Sequence, residues 1–255
     1  MVRIHNRQYS LDERGGLIMN LFTSVAENAI FVLEFLGIVL AIFAVAYLFE
    51  KCAKKKNNDT ERILNTKTIV VVGMFSAIAC VLHIFDFSVG FAPDFYKLDL
   101  SEIPVMICAF AYGPVAGVMA EFVKIVLKLF IKGTSTAFVG DLANFVIGCS
   151  FVLPASIIYR FKKSKKNAIV SCIIGTLVIT IAGPVFNALY LLPAFAKLYG
   201  WPLEDIIAIG TAINPAIRDV TTLVTFAVAP LNLLKGAIVS IVTIFIYKPL
   251  SRLLK

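Results

Sequence analysis

Seven apolar runs of roughly membrane-spanning length, separated by short polar connections, dominate this chain. They cover residues 29–49, 68–87, 101–112, 115–131, 137–159, 168–192 and 221–247. A polar linker, 51–67, divides the first run from the other six. Tyr112-Gly113-Pro114 is a turn signal between the runs on either side of it. The connection 193–219, with Trp201-Pro202 and Asn214-Pro215, is long enough to hold helix of its own. The first run is interrupted only by Glu34. It lacks a small-residue cleavage site near its end and is followed by positive charge, so it reads as a retained anchor. The pattern predicts an all-α integral membrane protein. Residues 68–255 form a compact six-helix transmembrane bundle, and residues 1–67 add an N-terminal transmembrane helix and a basic linker.

Composition agrees. Of 255 residues, 59% are hydrophobic and 16% charged, against about 25% charged in soluble domains; the mean hydropathy is +0.89. The spans use nearly all of the chain and leave no room for a soluble catalytic domain. No HExxH, GxSxG or Walker A loop is present, so the chain is not expected to power active transport by ATP hydrolysis alone. The five cysteines form no CxxC pair, and four of them lie inside apolar runs, where they read as packing residues. His5 and His83 are too scattered for a metal cluster. No inverted repeat is evident, which argues against an autonomous secondary transporter of that design.

The net charge of +8 is gathered in blocks: Lys51, Lys54, Lys55, Lys56, Arg62 and Lys67; Arg160, Lys162, Lys163, Lys165 and Lys166; Lys248, Arg252 and Lys255. Each abuts an apolar span, which favours cytoplasmic loops over nucleic-acid binding. The C-terminus is then cytoplasmic, and the connections 88–100, 132–136 and 193–219 face outside.

Charges inside the spans carry the chemistry. Lys235 lies halfway along the last run, at a cost of about 2.5–3.5 kcal/mol on insertion scales. Asn232 precedes it by three residues and shares its helical face, and Pro230 predicts a kink that frees backbone carbonyls. Lys235 is expected to meet Asn232, Asn187 and Asp141 around one ligand. Asp141, Asn144 and Gly148 share a face at the start of the 137–159 span, behind a small polar loop ending in Thr136; Asp141 is otherwise a helix cap. Asn187 sits near the outer end of its span, where an amide also serves as interhelical glue. The loop Phe91-Ala-Pro-Asp-Phe-Tyr-Lys97-Leu98-Asp99 alternates aromatic residues with charges, as an interfacial belt or as a lid over a planar ligand. Asp99 or Ser101 can cap the helix that follows. Glu121, Lys124 and Lys128 form a stripe read as a structural network bordering the site. Gly73 and Ala77, like Ser76 and Cys80, are four apart and permit close helix approach, internally or with a partner.

The strings Lys97-Leu-Asp-Leu-Ser-Glu-Ile-Pro104, Gly113-Pro-Val-Ala-Gly117 with Glu121 and Lys124, Gly140-Asp-Leu-Ala-Asn-Phe-Val-Ile-Gly148, Asn187-Ala-Leu-Tyr-Leu-Leu-Pro193 and Ala229-Pro-Leu-Asn-Leu-Leu-Lys-Gly236 occur in order. From about residue 66 onward the chain resembles the substrate-binding S components of energy-coupling factor (ECF) transporters, most closely the riboflavin-specific ones. That resemblance implies a six-helix protein that binds riboflavin near the outer face. It also implies partners: a transmembrane coupling protein and two cytoplasmic ATPases. Lys97, Leu98, Asp99, Thr136, Asp141, Asn144, Asn187, Asn232 and Lys235 would line the site, and Gly73, Ser76, Ala77 and Cys80 would meet the coupling protein. No catalytic residue, metal or further cofactor is implied. Alternatives are an S component for another vitamin or a purine-like compound, a membrane enzyme acting on lipid head groups through Asp99, Glu102 or Asp141, and a structural scaffold.

Overall fold

The structure, a computed structural model, describes residues 29–134, 136, 138–200 and 202–253. The expected polar stretch 1–27 and Trp201 lie outside the described residues. Helix α1 spans Ala29–Lys56 and α2 spans Thr66–Ile84. A short hairpin follows: β1, Phe87–Ser88, pairs antiparallel with β2, Lys97–Leu98, with Phe87 opposite Leu98. Then come α3 (Glu102–Tyr112), α4 (Pro114–Lys132), α5 (Val139–Phe161) and α6 (Lys165–Phe186). Helix α6 continues through a π-helical turn, Asn187–Leu191, into α7 (Leu192–Tyr199). After α8 (Leu203–Ile213) and α9 (Val220–Leu223), a second π-helical turn, Val224–Val228, leads into α10 (Ala229–Leu253). The long connection is thus largely helical.

Local chemistry sets several of these boundaries. Asn65 caps α2 by accepting from Thr68 N–H at 2.8 Å, and Ser164 caps α6 by accepting from Asn167 N–H at 3.2 Å. Asp219 and Thr222 form a reciprocal capping box ahead of α9. Both π turns have a proline reason. A proline ring clashes with the carbonyl four residues earlier. For Pro193 that is Leu189, and for Pro230 it is Phe226, each in the middle of a π turn. The backbone relieves the clash by widening to i→i+5 bonds: Leu192 N–H donates to Asn187 O, and Ala229 N–H donates to Val224 O.

Among the described residues, five segments are long and apolar enough to cross a membrane: Leu33–Lys56, Thr66–Ile84, Val139–Phe161, Lys165–Lys197 and Val220–Tyr247. Helix α4 has the length but carries Glu121, Lys124, Lys128 and Lys132. The expected span at 101–112 is shorter than a crossing requires. The eleven residues of α3 rise about 16 Å, half of a hydrocarbon core of about 30 Å. The hairpin before it must therefore dip into the bundle, and this brings Asp99 to the depth of Lys235. The hydroxyl of Tyr247 donates to Phe110 O at 3.2 Å and ties α10 to α3 toward the C-terminal ends of both helices.

Helices α6 and α10 meet through small and hydroxyl residues. Thr176 and Ser240 hydroxyls lie 3.0 Å apart, Ser240 also reaches Cys172 O at 3.3 Å, and a Cβ on Gly236 would press on Thr176. A second apolar cluster seals the other end. In it Ala92, Tyr96 and Leu98 pack with Ile206, Ile217, Leu223, Val224, Ala227, Val228 and Leu231.

Helix α1 is docked on the bundle. Val39, Ala46 and Ala53, seven residues apart, are its buried seam. Val39 and Ala46 pack with Val115, Val118 and Ile125 of α4 and Phe145 and Cys149 of α5. Glu50 is 1% exposed, and its Oε2 accepts from Val115 N–H at 2.9 Å, capping α4. Gly113 makes this possible: it adopts φ 111°, and a Cβ there would collide with the Glu50 carboxylate. Arg160 bridges from α5, 3.7 Å from Glu50 and 2.9 Å from Asp59. The hydrogen bond from Lys54 holds the Asp59 carboxyl below its ordinary value.

Candidate binding site

A buried ion network occupies the middle of the bundle. Lys235 Nζ on α10 lies 3.1 Å from Asp99 Oδ2 and 2.9 Å from Glu102 Oε2. Lys124 on α4 pairs with Glu121 and lies 3.3 Å from Glu102 Oε1; it also donates to Ser101 Oγ at 3.0 Å. Asp99 accepts from Ser101 N–H at 2.8 Å, and His83 Nδ1 of α2 lies 3.3 Å from its other oxygen. Every member is under 9% exposed. This network corrects the expected partners of Lys235, which are Asp99 and Glu102 in place of asparagines and Asp141. The reason is the half-length of α3, which carries two carboxylates to mid-depth.

The two lysines differ in spare capacity. An ammonium has three donors. Those of Lys124 are matched by Glu121, Glu102 and Ser101. Lys235 has two carboxylate partners among the described residues, which leaves one donor for a further acceptor.

Asn187 and Asn232 meet at Gly183. Asn187 Nδ2 donates to Gly183 O at 2.9 Å, and a Cβ on Gly183 would collide with the Asn232 amide nitrogen. Asn187 is 1% exposed, and its Oδ1 has no hydrogen-bond partner. A buried carbonyl oxygen left in that state costs about 1–3 kcal/mol unless a ligand or water serves it. One turn along α10 from Asn232 stands Lys235. The π turns flank this place on both helices, and such turns concentrate at functional sites.

The remaining candidates form a third group. Asp141 accepts from Lys128 Nζ at 2.6 Å and from Thr134 Oγ1 at 2.8 Å. It is therefore an ion-pair partner and not the cap of α5. That capping falls to Thr134 and Thr136, whose hydroxyls accept from Phe138 N–H at 3.0 Å and Gly140 N–H at 3.0 Å. Asn144 is half-buried one turn beyond Asp141, and Gly148 seats the Glu121 carboxylate, where a Cβ would collide. Leu98 is buried, whereas Lys97 is exposed and pairs with Asp86 at 3.1 Å. Ser101 precedes α3 without a side-chain capping bond, and Asp99 instead binds the Ser101 amide. The α4 stripe joins the groups: Glu121 and Lys124 face the central network, and Lys128 faces Asp141.

The expected partner face on α2 divides. Gly73 and Ala77 are exposed, with nothing near a Cβ built on Gly73. Ser76 and Cys80 are turned inward, and Ser76 Oγ donates to Val72 O at 2.7 Å and lies 3.2 Å from Ala120 O. Sequence reasoning missed His83 as a network member, and it weighed Glu102 only for an enzyme. A charge or imidazole within an apolar run was the signal, the same one that marks Lys235. No group of side chains suited to a metal ion occurs among the described residues.

A sequence model of the family described as ECF transporter, substrate-specific component, matches residues 67–247. The chain belongs to this family. The riboflavin transporter RibU of Staphylococcus aureus (strain TCH60) is 36% identical over 190 residues, 74% of this chain and 93% of the relative. The riboflavin transporter FmnP of Bacillus subtilis (strain 168) is 34% identical over 187 residues, 72% and 92% of the two chains. Among solved structures, one described as "Structure and mechanism of the S component of a bacterial ECF transporter" aligns with a TM-score of 0.58 and 35% identity, covering 74% of this chain and 98% of that one. This S component is thus a multi-pass membrane transport protein and not an enzyme, and ECF membership implies a partner module. The matched region begins after α1, so the docked first helix is an addition to it.

Proposed function

We propose that this S component binds riboflavin and mediates its uptake with an ATP-driven coupling module made of a transmembrane coupling protein and two cytoplasmic ATPases. The observation that carries this is the meeting of two buried amides, Asn187 and Asn232, at Gly183, one turn from a lysine with a donor to spare. A flavin ring edge presents amide-like donors and acceptors, and the orphaned Asn187 Oδ1 is matched to an N–H donor. Names of the curated relatives support the same ligand. Residues 68–255 form the substrate-binding body. Lys97, Leu98 and Asp99 cover the site from the hairpin, and Thr136, Asp141 and Asn144 border it. The basic blocks support a cytoplasmic 51–67 linker and C-terminus, with riboflavin entering from the opposite face. Gly73 and Ala77, exposed on α2, meet the coupling protein. The test is a riboflavin titration of the purified, folded chain in detergent, followed by flavin fluorescence quenching. Saturable one-to-one binding is expected, and its absence in protein with intact helical content overturns the proposal.

A further inference from the structure

An apolar groove of about 320 Å³ opens between α1, α5 and α6. Ile42 lines it from α1; Val146, Leu153, Pro154 and Ile157, with Cys149 and Ser150, line it from α5; Val178 lines it from α6. Along α5 it runs from Val146 to Ile157, about 17 Å of helix rise. Ile157 is the last lining residue, one turn from Arg160.

Beyond Arg160 the charge changes abruptly. Within residues 50–67 and 160–166 there are eleven basic side chains and three acidic ones. Two of the acids are committed: Glu50 to the Val115 amide, and Asp59 to Lys54 and Arg160. Lys55, Lys162 and Lys166 are exposed. The pole is held together by the docking of α1. Asn57 donates to Arg160 O at 3.1 Å, and Lys56 lies 5.5 Å from the Phe161 ring. One seam between helices thus offers an apolar slot that ends under a cationic rim.

We infer that this seam is a binding site for one anionic phospholipid of the bilayer. An acyl chain occupies the slot, and the phosphate lies among Lys55, Lys162 and Lys166. Basic pockets between membrane helices take anionic head groups in this way. A zwitterionic lipid fills the slot equally well but gains nothing from the rim, and a free head group gains the rim without the slot. The site depends on α1, which supplies one wall and part of the charge, and it does not depend on the identity of the transported ligand.

The test uses the full chain, stripped of lipid in detergent, with native mass spectrometry and thermal unfolding as readouts. Phosphatidylglycerol, phosphatidylcholine with the same acyl chains, and glycerol 3-phosphate are titrated separately. The expected result is one retained phosphatidylglycerol and a higher melting temperature, with at least tenfold weaker retention of the other two. Ser150→Phe, which fills the slot, should reduce phosphatidylglycerol retention at least tenfold. So should the surface variant Lys55→Gln/Lys162→Gln/Lys166→Gln, which leaves the packed helices untouched. Equal retention of the two lipids overturns the inference, as does retention unchanged in the lysine variant. Equal binding of glycerol 3-phosphate also overturns it, because the slot then contributes nothing.

Discussion

Replacing Lys235 with alanine separates two roles that its position combines. The ammonium serves two carboxylates buried to 3% (Asp99) and 2% (Glu102) exposure, at 3.1 and 2.9 Å. Glu102 keeps Lys124 at 3.3 Å, whereas Asp99 keeps, among the described residues, His83 at 3.3 Å and the Ser101 amide. Removing one partner of a buried pair costs about 3–5 kcal/mol. The retained Lys124 places Lys235→Ala near the lower end, about 3 kcal/mol. At about 2–4 °C per kcal/mol for a chain of this size, the melting temperature falls by roughly 6–12 °C. Asp99→Asn in the same chain removes the orphaned charge, so the double variant regains much of that loss through a coupling of about 0.5–3 kcal/mol. Affinity follows a different rule. If the third donor of Lys235 reaches the ligand, losing that charged hydrogen bond costs about 1.5–3 kcal/mol, or about 10- to 150-fold in Kd, in single and double variants alike. Thermal unfolding in detergent measures the first quantity and flavin quenching the second. Asp99→Asn alone supplies the reference for any contact that Asp99 itself makes. A double variant that binds riboflavin as tightly as the wild type makes Lys235 a purely internal cation. A single variant that melts with the wild type removes the network as a source of stability.

Gly183→Ala places a Cβ against the Asn232 amide while improving local helix propensity. Riboflavin affinity should fall at least tenfold, about 1.4 kcal/mol, with little change in helical content by circular dichroism; unchanged affinity would place Asn232 outside the site. Glu50→Ala removes the acceptor for Val115 N–H and leaves Arg160 with Asp59 as its remaining acidic partner. The charged hydrogen bond is worth about 1.5–3 kcal/mol. The expected result is a lower melting temperature and faster proteolysis of the 57–65 linker, with flavin binding retained; a linker as resistant as in the wild type means that α1 is held by its apolar seam alone.

Helix positions were legible because they follow from local signals. Apolar runs, Tyr112-Gly113-Pro114 and the basic blocks each act within a few residues. Lys235 was legible for a different reason: an ammonium in hydrocarbon is costly wherever its neighbours lie. Its partners were not legible, because Asp99 is 136 residues away and reaches it only through the short α3. After Ser101 and Glu102 the run to 112 is apolar, and nothing in its composition says that it starts at mid-depth. The seam of α1 was hidden in a similar way. Val39 and Ala46 lie among larger apolar residues with nothing to single them out, Ala53 lies among lysines, and Glu50 reads as the start of a polar flank. Its burial depends on the space left at Gly113, more than sixty residues later.

Pro230 was expected to act by freeing carbonyls, and its effect on helical phase is as important. Buried residues on the last helix recur every four positions: Leu223 and Val224, Ala227 and Val228, Leu231 and Asn232, Lys235 and Gly236, Val239 and Ser240. A regular α-helix advances about 100° per residue, so each step of four overshoots a full turn by about 40°. From Leu223 to Lys235 the overshoot reaches about 120°, enough to swing the lysine away from the face that begins at Leu223. The π turn at Val224–Val228 takes up one extra residue, about 100°, and cuts the drift to about 20°. The seam that packs against the hairpin and the face that carries Asn232 and Lys235 can then point the same way. The step from Asn187 to Leu191, both buried, crosses the other π turn in the same manner. Proline widening therefore keeps the sealing residues and the amides of both helices in line, and the ion network fixes the depth at which Lys235 meets them.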